Sequence, residues 1–220
     1  LSGTPTNDDV GSQEITVQVM DVAGTTDQRT FTMNIKPGET SITTLRSGDD
    51  KYYGSEFADI ISTGGGADYI LAGAGEDIVI VEGVVLSTDL NPLDNRSNFV
   101  LVDTGTGNDT VEISTNFDGQ VKLVSGGGTD QLVVKGDAGA FSWSAGTGAN
   151  SNDIILTSNG TSIVLSNQMA HEENLVFSYI EFVSVDPVTG ETTSEIFQVD
   201  PNAAPVSGGL ITVLGTDSTI

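Results

Sequence analysis

Asp50, Asp59, Asp68 and Asp77 follow one another at nine-residue intervals, and Tyr52, Ile61, Ile70 and Val79 stand two places after them in turn. Gly64 and Gly66 precede Asp68, and Gly73 and Gly75 precede Asp77. Asp50 keeps Gly48, whereas Asp59 has Ser55 and Phe57 in the glycine places. The same frame returns as Gly105, Gly107, Asp109, Val111 and again as Gly126, Gly128, Asp130, Leu132. Carboxylates repeated in phase between glycine-rich turns are suited to holding hard, oxygen-seeking cations. Composition points the same way. Thirty-one acidic residues face seven basic ones, for a formal net charge of -24. The chain has no cysteine and a single histidine, so thiolate sites for zinc or iron–sulfur clusters are excluded and imidazole-rich sites nearly so.

The frame resembles the nonapeptide repeat of RTX, or haemolysin-type, calcium-binding proteins, glycine-glycine-x-glycine-x-aspartate-x-apolar-x, which builds a parallel β-roll. The resemblance implies Ca2+ as the bound ion. It implies a metal site formed by Asp50, Asp59, Asp68, Asp77, Asp109 and Asp130 with the turn glycines Gly64, Gly66, Gly73, Gly75, Gly105, Gly107, Gly126 and Gly128. In such a roll two repeats close one coil, so each repeat stacks over the next but one. Asp50 is then expected over Asp68 on one flank and Asp59 over Asp77 on the other. Carrying the coil count through the insertion at 82–98 adds Asp109 and Asp130 to the Asp59 flank. Stacked carboxylates are one strand spacing apart, about 4.8 Å. At an effective dielectric near 20 they repel by roughly 3 kcal/mol. Calcium, with oxygen distances of about 2.3–2.6 Å, fits between them and draws its other ligands from turn carbonyls. The glycines permit positive φ without a Cβ clash. The competing view of the same glycines is a flexible linker, which the in-phase repeats disfavour. Asp118 is nine places after Asp109 but lacks the glycines.

The elements that must position these residues read as strands throughout. "QEITVQVMD" and "RTFTMNI" alternate apolar and polar residues around the turn "DVAGTTDQ". Residues 1–37 resemble the C-terminal half of a cadherin-like or Ig-like domain of bacterial surface proteins, and two strands alone are marginal in water. Residues 45–135 form the expected calcium-binding β-roll. Residues 136–200 carry longer alternating strands, similar to the region that follows RTX repeats, and are expected to cap the roll, with Trp143 as an anchor of the cap core. Residues 201–220 read as a linker and the start of a following element. The fold class is all-β: a parallel β-roll, a β-strand C-terminal cap and incomplete Ig-like sandwich pieces at the ends.

No catalytic constellation emerges. His171 lacks the second histidine of a zinc-protease helix, there is no Gly-x-Ser-x-Gly elbow, and the Gly-x-Gly pairs lack the third glycine of a nucleotide fingerprint. A surface this acidic repels nucleic acid and anionic lipid. No apolar run approaches the roughly 18 residues of a membrane helix. The expected function is a calcium-binding structural segment of an extracellular bacterial adhesin or surface protein. The resemblance implies type I secretion and folding outside the cell, with neighbouring domains or copies of the same protein as partners. The alternative is the accessory roll of a secreted hydrolase or epimerase whose catalytic domain lies outside these residues. A head-to-tail filament, with residues 203–220 of one copy completing residues 1–36 of the next, is a further option.

Overall fold

A computed structural model describes residues 11–35, 40–85, 99–166, 177–199 and 211–219. The chain divides into two units, Leu1–Glu39 and Thr40–Ile220. In the first, β1 (Gly11–Met20) and β2 (Thr26–Ile35) pair antiparallel with Ile15 opposite Phe31 and Val17 opposite Arg29. The Asp21 carboxylate fixes the turn by accepting from the Ala23 and Thr25 N–H groups at 2.9 and 2.8 Å. Side chains alternate with period two along a strand, so the register puts Ile15, Val17, Val19, Phe31 and Met33 on one face. Val19 is 62% exposed and Phe31 48%.

The second unit is built from two sheets that the chain enters alternately. One contains β3 (Ser41–Thr44), β5 (Asp59–Ser62), β7 (Ile78–Val81), β9 (Thr110–Ile113), β11 (Asp130–Lys135), β15 (Phe177–Val185), β16 (Thr192–Val199) and β17 (Ile211–Thr219), in that spatial order. The other contains β4 (Lys51–Tyr53), β6 (Tyr69–Leu71), β8 (Phe99–Asp103), β10 (Gly119–Val124), β14 (Thr161–Leu165), β13 (Ile154–Ser158) and β12 (Ser142–Ala145). From β3 to β15 and from β4 to β14 every pairing is parallel, one strand per coil in each sheet. The fold is the all-β roll.

Register explains the core. Ile61, Val79, Val111, Leu132 and Ile180 stand opposite one another in succession across the first sheet. Ile70, Val102, Leu123 and Leu165 do so across the second. All are buried in a single apolar cluster between the sheets. Short strands suffice because each inward residue is covered above and below by the same position of the next coil.

Parallel stacking continues past residue 135, where a separate cap was expected to begin. β14 and β15 together add one more coil without the glycine–aspartate frame, and antiparallel pairing starts only at β13 and β16. Residues 211–219, expected to start a following element, instead pair antiparallel with β16 of the same unit. The end of the roll is closed by aromatic packing. Trp143 lies 5.9 Å from both Phe182 and Phe197, ring centroid to centroid, and Phe141 lies 5.3 Å from Phe182. Replacing Trp143 with alanine should cost about 3 kcal/mol, the low end for a large aromatic residue because the ring is only partly buried. Urea unfolding of the two proteins in the same calcium buffer measures the difference.

Candidate metal centre

Each site aspartate sits at the first residue of a strand or immediately before it, two places from the core residue that follows. Period two therefore turns the carboxylate inward together with its apolar partner. Asp59, Asp68, Asp77, Asp109 and Asp130 are no more than 2% exposed. Asp50, in the first coil, is half-buried.

The register aligns these residues into two columns. Asp59, Asp77, Asp109 and Asp130 line the flank whose turns lead into the first sheet, and Asp50 and Asp68 line the opposite flank. The carboxylates hold adjacent coils together through the backbone. The Asp59 N–H donates to Asp77 Oδ1 at 2.8 Å, the Asp77 N–H to Asp109 Oδ1 at 2.8 Å and the Asp109 N–H to Asp130 Oδ1 at 3.0 Å. Across the roll the Asp50 N–H donates to Asp68 Oδ1 at 2.9 Å. The step from Asp77 to Asp109 spans the insertion at 82–98 and keeps the same contact.

What those bonds leave over is the informative part. Asp59 Oδ1, Asp68 Oδ2, Asp77 Oδ2 and Asp109 Oδ2 are buried and accept nothing from the protein. A buried carboxylate oxygen without a partner costs at least about 1–3 kcal/mol. Burial pushes the Asp68 carboxyl up to about 7, and the charges of Asp50 and Asp49 add to the shift. Burial, then the charges of Asp130 and Asp77, raises Asp109 to about 7. Burial, then Asp59, raises Asp77 to about 6. These shifts occur although each carboxylate accepts a backbone N–H, which acts in the opposite direction.

Two carboxylates escape this predicament. Asp130 Oδ2 accepts from the Ser125 hydroxyl and from Thr104 Oγ1, the latter at 3.2 Å. Asp50 Oδ2 accepts from the Arg46 N–H at 3.0 Å. Neither hydroxyl was expected from the sequence, since serine and threonine in a glycine-rich turn carry no frame of their own. Asp118 lies outside both carboxylate columns. Its carboxylate is exposed, and its backbone pairs with Gly83 and Val85. His171 falls outside the described residues.

The turn glycines have two separate reasons to be glycine. Gly64, Gly66, Gly73, Gly75, Gly105, Gly107 and Gly128 adopt positive φ as expected, whereas Gly126 does not. For Gly126 the constraint is the approach of neighbouring coils, because a Cβ there would lie 1.3 Å from the Gly105 carbonyl oxygen. Gly107 meets both constraints, with φ at +138° and a Cβ position 1.6 Å from the Gly75 carbonyl oxygen. Turn carbonyls are thus stacked as closely as the carboxylates. The Gly105 carbonyl accepts from the Gly127 N–H and the Gly73 carbonyl from the Thr106 N–H, both at 2.9 Å. Each keeps a second lone pair.

Among the described residues no three acidic or histidine side chains converge on one point. The arrangement is one of stacked pairs, so an ion held here must take the rest of its shell from carbonyls and water, as calcium does and a tetrahedral zinc site does not. The orphaned oxygens fit a hard cation, which would supply the positive charge that the fold itself lacks at these positions.

Two outcomes follow for the metal-free protein. The raised carboxyls hold protons in the folded chain that the unfolded chain releases near the ordinary value of 3.8. The part of the metal-free stability that these three groups contribute is therefore full below that value and is lost as pH rises toward about 7. Thermal melts in EGTA across this range should show a falling melting temperature. Asp77→Asn retains an acceptor for the Asp59 N–H and removes one charge. It should stabilise the protein in EGTA by roughly 3 kcal/mol of carboxylate repulsion relieved, seen as a higher melting temperature, and shrink the further rise on adding calcium. Paired melts of the two proteins with and without calcium measure both effects.

Residues 46–79 match the RTX calcium-binding nonapeptide repeat, in four copies. A search of curated proteins finds no match to the chain. The matched repeats contain both carboxylates of the Asp50 flank and the first two of the other. They are calcium-binding repeats, and Ca2+ is the ion for which their buried acidic columns are formed.

Proposed function

We propose that the chain is a non-catalytic, calcium-stiffened segment of a secreted bacterial adhesin or surface protein. One observation carries this reading: in every coil from Asp59 to Asp109 a buried carboxylate keeps an oxygen that no protein group satisfies. A protein selected to fold in a calcium-poor compartment has no use for such a row, because supplying hydroxyl donors, as at Asp130, would remove the cost. Outside the cell the ion is abundant. Extracellular modules commonly bind calcium at about 10⁻⁴–10⁻³ M, so the segment would export unfolded or partly open and close on arrival. Binding and folding are then one linked equilibrium, and an ion at 100 times its dissociation constant adds about 2.7 kcal/mol per site.

The hairpin unit supports an adhesin context. Its one apolar face, bearing Ile15, Val17, Phe31 and Met33, suits the inner face of a sandwich that further strands complete. Neighbouring domains or another copy of the protein are the partners proposed for it. The net charge of -24 disfavours nucleic acid and anionic membranes as partners.

Calcium titration of EGTA-treated protein, followed by circular dichroism and calorimetry and paired with a metal count, tests the function. Gain of β-signal, a rising melting temperature and saturation between about 10⁻⁴ and 10⁻³ M are expected. Equal structure and equal melting temperature in excess EGTA, with no ion bound, would overturn it.

A further inference from the structure

We infer that calcium dependence is confined to part of the roll: the coils of residues 41–81 close only around ions, whereas the coils from β8 onward hold their fold when calcium is removed. The inference rests on the calcium reading above and concerns how far that dependence reaches.

The chemistry of the second flank changes along the roll. The column position occupied by Asp50 and Asp68 passes next to Val100, since Tyr69 stands opposite Leu101 and the Asp68 carbonyl accepts from the Leu101 N–H at 2.8 Å. Val100 in turn stands opposite Val121, and Val121 opposite Ile163. The carboxylate column thus becomes an aliphatic one. Val100 and Val121 are 0% exposed. The turn segments on the same flank follow suit, with Val85 and Phe117 both buried in the core cluster. Val85 is locked there by its N–H donating to the Asp118 carbonyl at 2.8 Å.

The opposite flank changes over the same coils. Asp130 is the last carboxylate of its column and has both oxygens satisfied by protein donors. Above it the register places Phe177, which is fully buried. Among the described residues, three of the four orphaned carboxylate oxygens (Asp59, Asp68 and Asp77) belong to residues 41–81, and only that of Asp109 lies beyond. The aromatic cluster around Phe182 closes the far end without any charge. The lower coils, from β4 to β7, have carboxylates on both flanks, and the apolar plug begins only after β7, at Val85. The upper coils have an apolar plug on one flank and a nearly satisfied column on the other. A chelated chain is then a half-folded one, whose exposed upper coil edge offers β6 and β7 their parallel partners when calcium returns.

Hydrogen exchange of the whole chain, read by peptide in calcium and in excess EGTA, tests this. Loss of protection in 41–81 with protection retained in β8–β11 and β13–β16 is expected. Phe117→Ala should stay folded in calcium and lose the EGTA-resistant protection of the upper strands. Equal loss across both halves of the wild-type chain would overturn the inference and leave the calcium reading standing. Unchanged protection everywhere in EGTA would overturn both. A Phe117→Ala chain as well protected in EGTA as wild type would also refute the plug.

Discussion

Carboxylates stacked at a single strand spacing, with their inner oxygens sealed from water, cannot all be charged unless something positive lies among them. That constraint orders the rest of the structure. It arises from simple geometry: an aspartate two residues before a core residue shares its face, and parallel coils in register bring every such aspartate over the next. The backbone answers half of the demand, since the N–H groups of Asp50, Asp59, Asp77 and Asp109 each donate to the carboxylate of the next coil. The other half stays open. Burial and mutual repulsion then raise the carboxyls of Asp68, Asp77 and Asp109, which is the electrostatic sign of a site built for a cation.

The turn backbone accommodates the same stacking by dispensing with side chains. Coils separated by one strand spacing bring turn carbonyls against the next turn, as Gly126 and Gly107 show, and any Cβ would strike them. Close carbonyls and close carboxylates arise from one stacking geometry. Oxygen density of this kind is useless to a thiolate- or imidazole-seeking metal and well matched to calcium. Where the chain stops using it, at Val100 and Val121 on one flank and at Phe177 on the other, ordinary apolar packing takes over and the roll ends in an aromatic cluster.

Much of this was legible in the sequence because spacing fixes stacking. The intervals separating Asp50, Asp59, Asp68 and Asp77 determine which carboxylate lies over which, and the frame around Asp109 identifies its column despite the insertion. The structure sets Asp109 above Asp77 accordingly. Less legible was the extent of the roll. β14 and β15 stack in parallel with no glycine–aspartate frame, and their alternation of polar and apolar residues is equally consistent with antiparallel strands. The aliphatic stretch at Val100 was hidden because the insertion interrupts the count just before it. The hydroxyls that satisfy Asp130 were invisible for a different reason: Ser125 and Thr104 come from turns of successive coils, and only their stacking brings both to one carboxylate. Strand β17 read as the start of something new because its apolar run follows a linker-like composition, and sequence carries no record of which edge it will pair with.

The most direct test is anomalous diffraction from crystals grown in calcium. Density is expected within about 2.3–2.6 Å of Asp59 Oδ1, Asp68 Oδ2, Asp77 Oδ2 and Asp109 Oδ2. Their remaining contacts should be backbone carbonyls and water. Refined, fully ordered columns with no anomalous peak beside any of these oxygens would contradict the claim that the buried acidic stack exists to hold an ion.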